Sequence, residues 1–273
     1  MFVPVLLTVL AVSPSAQVRS AETSTKVEPL VIGETFTINS RALGEVRRIN
    51  VYAPPGYAES GDLRLPVLYM PDGGLREDFL HIAGLVQISV ANSTMRPFLL
   101  VGIENTERRR DMTGPTENSD DRKIAPRVGG SSAFRTFIRK ELMPAVEARY
   151  RTIDETAIIG ESLAGLFVVE TFIEQPDLFD TYIAIDPSLW WNDGRLVEGA
   201  GEQLRSRPLA RRALYLANSG DSGLEESIGL FTAMLKKGGF PGLSWHHERM
   251  PEERHATIFH PAALRAFRRL FEQ

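Results

Sequence analysis

Five short, nearly continuous apolar runs, at residues 66–70, 97–103, 156–159, 182–185 and 213–217, constrain most of what this chain can fold into. A strand with one face in water alternates apolar and polar residues. A run without that alternation suits a strand covered on both faces, as in a parallel sheet. Between the runs, Phe134, Phe137, Ile138, Leu142 and Val146 recur at helical spacing, as do Leu163, Leu166, Phe167 and Phe172. Residues 224–235 and 262–271 are two further amphipathic stretches. Strand and helix in alternation predict βαβ units with right-handed crossovers, hence a mostly parallel central sheet with helices on both faces. Residues 34–39 and 46–52 read instead as an antiparallel opening pair, stopped by Pro54, Pro55 and Gly56, and residues 243–249 as the last strand.

A length of 273 residues suits one large α/β domain, assigned to residues 28–273. The net charge of −4 argues against a nucleic-acid partner, which needs a concentrated basic face. With no cysteine, disulfides, thiolate metal sites and a cysteine nucleophile are excluded. Residues 2–12 are apolar and are followed by Ser13, Pro14, Ser15 and Ala16, small residues suited to signal-peptidase cleavage. The stretch falls short of the roughly 20 apolar residues of a membrane span. Residues 1–20 are therefore expected to be an export signal and 21–27 a linker, giving a periplasmic or secreted protein, although no Lys or Arg precedes Phe2.

The segment Thr156-Ala157-Ile158-Ile159-Gly160-Glu161-Ser162-Leu163-Ala164-Gly165 sets a serine between a buried strand and an amphipathic helix. A nucleophile elbow needs this context, with small residues two before and two after the serine because the turn is tight. Gly160 satisfies the first position, and Ala164 departs from the usual Gly by one methyl. Gly129-x-Ser131, Gly130-x-Ser132 and Gly220-x-Ser222 contain half the pattern, but only Ser162 is expected to join strand to helix. The competing reading is a plain helix N-cap serine. As nucleophile, Ser162 would have the Leu163 N–H beside it as oxyanion donor, at the positive end of the helix dipole.

In such a fold the base follows in a loop near the C-terminus. His81 precedes Ser162, His246 and His247 lie in the last strand with one expected in the core, and His260 opens the terminal helix. His255 remains, in the loop 252–257. The acid is expected after the run 213–217, where Asp221 comes first, with Glu225 and Glu226 behind it; Asp186, at the end of the preceding strand, is another candidate. Pro71-Asp72-Gly73-Gly74 offers flexible backbone for a second oxyanion donor, Gly73 or Gly74. The polar segment 105–130 is too long for an ordinary connection and reads as disorder or a loop over the site.

Taken together, Tyr52-Ala53-Pro54-Pro55-Gly56-Tyr57, Pro66-Val67-Leu68-Tyr69-Met70-Pro71-Asp72-Gly73-Gly74, Val101-Gly102-Ile103, Arg108-Arg109-Arg110-Asp111-Met112-Thr113, the elbow, Pro187-Ser188-Leu189-Trp190-Trp191 and His255 before a final helix resemble the putative-esterase branch of the α/β hydrolases. That branch includes siderophore trilactone esterases, esterase D and feruloyl esterases. The resemblance runs from about residue 28 to the C-terminus. It implies an α/β-hydrolase fold, a Ser–His pair, an oxyanion hole, a small-molecule ester substrate and no cofactor or metal. In that branch Asp72 falls in the oxyanion loop, and a small or hydroxyl residue is expected where Asp186 stands.

The expected chemistry is acyl transfer to Ser162 with His255 as general base. Arg109, within the run 108–110, is a candidate contact for an anionic ligand, against a charge run paired with Glu104, Glu107, Asp111 and Asp120. Trp190 is a candidate pocket wall, against a core filler. An acyltransferase, or a non-catalytic binding module of the same fold, remains compatible with these residues.

Overall fold

The computed structural model describes residues 26–207, 209 and 211–273. The expected export signal at 1–20 and most of the 21–27 linker lie outside them. Residues 26–31 are exposed and without regular structure, and Ile32–Gln273 forms one compact unit.

Eight strands form one sheet: β1 Glu34–Ser40, β2 Glu45–Tyr52, β3 Leu65–Pro71, β4 Leu99–Ile103, β5 Thr152–Glu161, β6 Thr181–Ile185, β7 Arg212–Ser219 and β8 Leu243–Met250. Their order is β1-β2-β4-β3-β5-β6-β7-β8. β2 pairs antiparallel with β1 and with β4, and every pair from β4 to β8 is parallel. The helices are α1 Phe79–Ala91, α2 Arg108–Met112, α3 Ser119–Ile124, α4 Ser131–Phe137, α5 Met143–Glu147, α6 Leu163–Glu174, α7 Arg195–Arg205, α8 Ser222–Lys236 and α9 Phe259–Leu270. A π turn, Ile138–Leu142, joins α4 to α5. Pro144 has no N–H for the Lys140 carbonyl, and the wider turn accommodates that loss.

The unalternating apolar runs have the expected cause. Val67 and Tyr69 of β3 pack into one core with α4–α8, whereas Leu68 and Met70 pack into the other with α1 and α9. Both faces are covered, so both sets must be apolar. β8, at the sheet edge, behaves otherwise. His246 and His247 are each half-buried, so neither enters a core; the ring of His246 lies against Tyr215, and His247 Nε2 is 2.7 Å from Asn218 Oδ1.

Segment 105–130 is ordered, and buried polar contacts hold it. Asp111 is fully buried against Arg47, which is itself fully buried and lies over the rings of Phe134 and Phe137. Asp121 accepts from Thr116 Oγ1 at 2.6 Å and from the Asn192 N–H at 2.8 Å. The Trp191 indole donates to the Gly114 carbonyl. A buried ion pair of this kind has no periodic signature, since its members lie 64 residues apart in sequence. Order in this segment, where length and polarity also allowed disorder, therefore has no local sequence signal.

Candidate active site

β5 passes into α6 through a single residue, Ser162, at φ 60° and ψ −121°. Such backbone costs a non-glycine residue about 1–3 kcal/mol, so its surroundings must impose it. The Ser162 N–H donates to the Ile185 carbonyl at 3.1 Å, and the Ser162 carbonyl accepts from Leu166 N–H at 2.9 Å and Ser188 N–H at 3.1 Å. A Cβ on Gly160 would sit 2.6 Å from the Ala164 backbone, so glycine is compulsory there. Ala164 keeps its methyl, fully buried, against the space Gly160 leaves. Gly165 provides the next close approach: a Cβ there would meet the Ile185 carbonyl and Pro187 Cα at 3.0 Å.

Among the other Gly-x-Ser matches, Ser131 opens α4 and its hydroxyl donates to Glu170. Ser222 also opens a helix after a strand, so that context is not confined to Ser162. It differs because Gly220 and Asp221 separate β7 from α8, and neither has positive φ.

His255 lies in the loop between β8 and α9, with Nε2 3.0 Å from Ser162 Oγ. Its Nδ1 is 3.0 Å from Asp186 Oδ2. Asp186, directly after β6 and fully buried, also accepts from the Ser219 N–H at 2.8 Å and hydroxyl at 2.7 Å. Burial pushes its carboxyl upward, but the bonds from His255 and Ser219 outweigh that and hold it below the ordinary value. The bond to Asp186 likewise raises His255 above its ordinary value, against burial and with help from Glu161. The other acid candidates have different partners. Asp221 accepts from the backbone N–H of His255 at 2.8 Å, so it anchors the loop and leaves the ring to Asp186. Glu225 pairs with Arg249.

The loop after β3 also corrects an expectation. Gly73 N–H donates to the Ile103 carbonyl at 2.9 Å, extending the β3–β4 ladder, so it is not free to face a substrate. A Cβ there would sit 2.2 Å from Ile103 N, which makes close strand approach the reason for this glycine. Gly74 N–H donates to Glu77 Oε2 at 2.6 Å. The Leu163 N–H, first in α6, has no intrahelical acceptor and points from the helix's positive end.

The arginine run divides three ways. Arg108 grips Asp72 with two bonds, at 2.7 and 2.8 Å. Arg110 is paired with Glu45 and Asp111. Arg109 donates only to the Ile124 carbonyl among the described residues, and with Arg108 and Arg127 it lines a cavity of about 480 Å³. The tryptophans divide as well: Trp191 is buried, while Trp190 is 40% exposed.

Glu161, the variable residue of the elbow, carries no sequence signal of a role. Its Oε1 lies 3.3 Å from His255 Nδ1, and burial pushes its carboxyl up to about 7. Together these groups can move a proton from a serine hydroxyl to an imidazole braced by a buried carboxylate.

The family model described as "Putative esterase" matches residues 40–222. Ferri-bacillibactin esterase BesA of Bacillus subtilis is 36% identical over 126 residues, covering 44% of this chain and 41% of the relative. The siderophore triacetylfusarinine C esterase of Aspergillus fumigatus is 31% identical over 185 residues, covering 60% and 58%. The chain therefore matches only about half the length of these curated relatives. An IroE-like serine hydrolase from Shewanella oneidensis superposes with a TM-score of 0.80 at 28% identity, over 88% of this chain and 80% of that one.

Proposed function

The chain belongs to the putative-esterase family, and from that premise we propose that it hydrolyses carboxylic esters through an acyl-enzyme on Ser162. One observation carries the reading: a strained serine at a strand–helix junction lies within hydrogen-bond distance of an imidazole whose other nitrogen meets a buried carboxylate.

In the proposed reaction Ser162 Oγ attacks the ester carbonyl carbon while His255 Nε2 takes its proton. Asp186 holds the tautomer and stabilises the imidazolium. The Leu163 N–H receives the oxyanion, and the Gly74 N–H joins it when the substrate oxygen displaces Glu77. Collapse expels the alcohol, which takes its proton from His255. Water, activated by the same imidazole, then releases the acid and the free serine.

The substrate class is a siderophore-type or similarly bulky ester. The names of the relatives support it, as do the arginine-rich cavity and the exposed Trp190, since a ferric catecholate siderophore offers anionic and aromatic surface. Residues 28–273 form the hydrolase domain and residues 1–20 direct export. The described residues contain no helix long and apolar enough to cross a membrane.

The test is turnover of a ferric catecholate trilactone beside short p-nitrophenyl esters, with wild type and Ser162→Ala. Wild type is expected to hydrolyse both and to label with a fluorophosphonate; Ser162→Ala should do neither. Labelling of the variant would remove Ser162 as nucleophile, and inertness towards the trilactone alone would remove that substrate.

A further inference from the structure

Two cavities of the molecule differ in charge. Four arginines and Glu107 line the one already described. His255 lines a second, of about 470 Å³, together with Asp78, His81, Glu161, Phe259 and His260. Among the described residues no lysine or arginine lines it.

The chemistry of the proposed esterase reaction, on which this inference rests, fixes which half of the ester enters that second cavity. The leaving alkoxide takes its proton from His255, so its oxygen must lie at the imidazole. The alcohol then extends into the cavity that the imidazole lines. There it meets Glu161, whose side chain is 16% exposed and whose carboxylate lies 3.3 Å from His255 Nδ1. Asp78, at the start of α1, adds a second carboxyl, 3.9 Å from the His81 ring.

We propose that Glu161 is a specificity-determining residue for the alcohol half of the ester, favouring alcohols that carry a cationic nitrogen.

The charges around Glu161 leave it incompletely compensated. His255 faces it from the β8–α9 loop, and Arg108 faces it from α2, but Arg108 is already committed to Asp72 through two bonds. Asp186 beyond β6 and Asp78 at α1 are like charges that add to its burden. His81 and His260 complete the polar wall from α1 and α9, their rings 6.3 Å apart. The raised titration of Glu161 and of Asp78, caused first by burial, is what a carboxyl short of a cation shows. An ammonium group entering the cavity supplies that cation, while the Phe259 ring offers its methyl groups an apolar surface.

The experiment compares a choline ester with the 3,3-dimethylbutyl ester of the same acid at pH 8. The two alcohols have one shape and differ by one charge, and both give the same acyl-enzyme. Wild type is expected to show kcat/KM about tenfold higher for the choline ester, about 1.4 kcal/mol. Glu161→Gln should bring the ratio towards one whatever happens to the absolute rates, which a merely structural role for Glu161 would not do. A wild-type ratio of one, or a ratio that survives in Glu161→Gln, overturns the proposal. If neither ester turns over, protection of Ser162 from fluorophosphonate by choline relative to 3,3-dimethylbutanol reads the same preference, and equal protection overturns it. Absence of labelling and of all ester turnover overturns the esterase reading and this subsite with it, whereas labelling with equal ratios removes the subsite alone.

Discussion

The carboxyl ends of β5 and β6 each bring an acid to the same imidazole nitrogen, and the two acids are driven in opposite directions. Asp186 Oδ2 lies 3.0 Å from His255 Nδ1 and Glu161 Oε1 lies 3.3 Å from it. Yet Asp186 is held below its ordinary value, while Glu161 is pushed up to about 7. Burial acts upward on both. What separates them is donors: Asp186 receives the Ser219 N–H and hydroxyl as well as the imidazole, and no hydrogen bond lowers Glu161. Closeness to a base does not make a carboxyl its partner. The hydrogen bonds that keep the carboxyl ionised do so.

The largest test of this difference is Asp186→Asn. With the tautomer no longer held, kcat should fall by about 10³–10⁴-fold, as for loss of the acid in a serine triad. The proposed reaction needs neutral His255, so activity should decline as pH falls through its titration. Asp186 holds that titration above the ordinary value of 6.5. In Asp186→Asn the acid limb of kcat/KM should therefore move to lower pH. If Glu161 were the working acid, Asp186→Asn would be mild and Glu161→Gln severe, and the comparison would reverse.

Two smaller changes sharpen it. Asp221→Asn disturbs the backbone anchor of the His255 loop and leaves the ring's own partner in place, so kcat/KM should drop by about tenfold with little movement of the acid limb. A loss as large as that of Asp186→Asn would return Asp221 to the role the sequence suggested. Ser219→Ala removes the hydroxyl donor to Asp186 but keeps the N–H. A loss of about 1 kcal/mol of hydrogen bonding predicts a several-fold fall in kcat, and an unchanged rate would show that the N–H suffices.

These acids also mark where the sequence was legible. The strands could be read because burial on both faces leaves an unbroken apolar run. Ser162 could be read because the elbow's steric demands fall on Gly160 and Ala164, within two residues of it. His255 followed from elimination among five histidines. Asp186 could not be ranked above Asp221. Both follow apolar strands, and the choice depends on which atom of His255 each one meets, 69 and 34 residues away. Gly73 was misjudged for a related reason: glycine signals a close approach but does not say to what, and here it is Ile103. Glu161 was overlooked because the middle position of the elbow carries no steric rule, so its residue type looks arbitrary until the cavity beside it is seen.

The last effect concerns stability rather than rate. Glu161 titrates near 7 in the folded protein against an ordinary 4.5. Between those two pH values the folded chain keeps this proton while the unfolded chain has lost it. The folded state then binds more protons, so stability falls as pH rises through the window, and the full cost is present above pH 7. That cost has an upper bound of about 3 kcal/mol, and Arg108 together with water entering the cavity reduces it. Glu161→Gln removes the titration but keeps the shape. Urea unfolding should show the variant near wild type at pH 5 and more stable than wild type at pH 8, by about 1–2 kcal/mol. Asp186→Asn must show the opposite trend. Its carboxyl is more acidic when folded and contributes stability above its ordinary titration range, so this variant should lose stability at pH 8. Two variants that shift in the same direction would mean that the donors around Asp186 and the burial of Glu161 do not separate these acids.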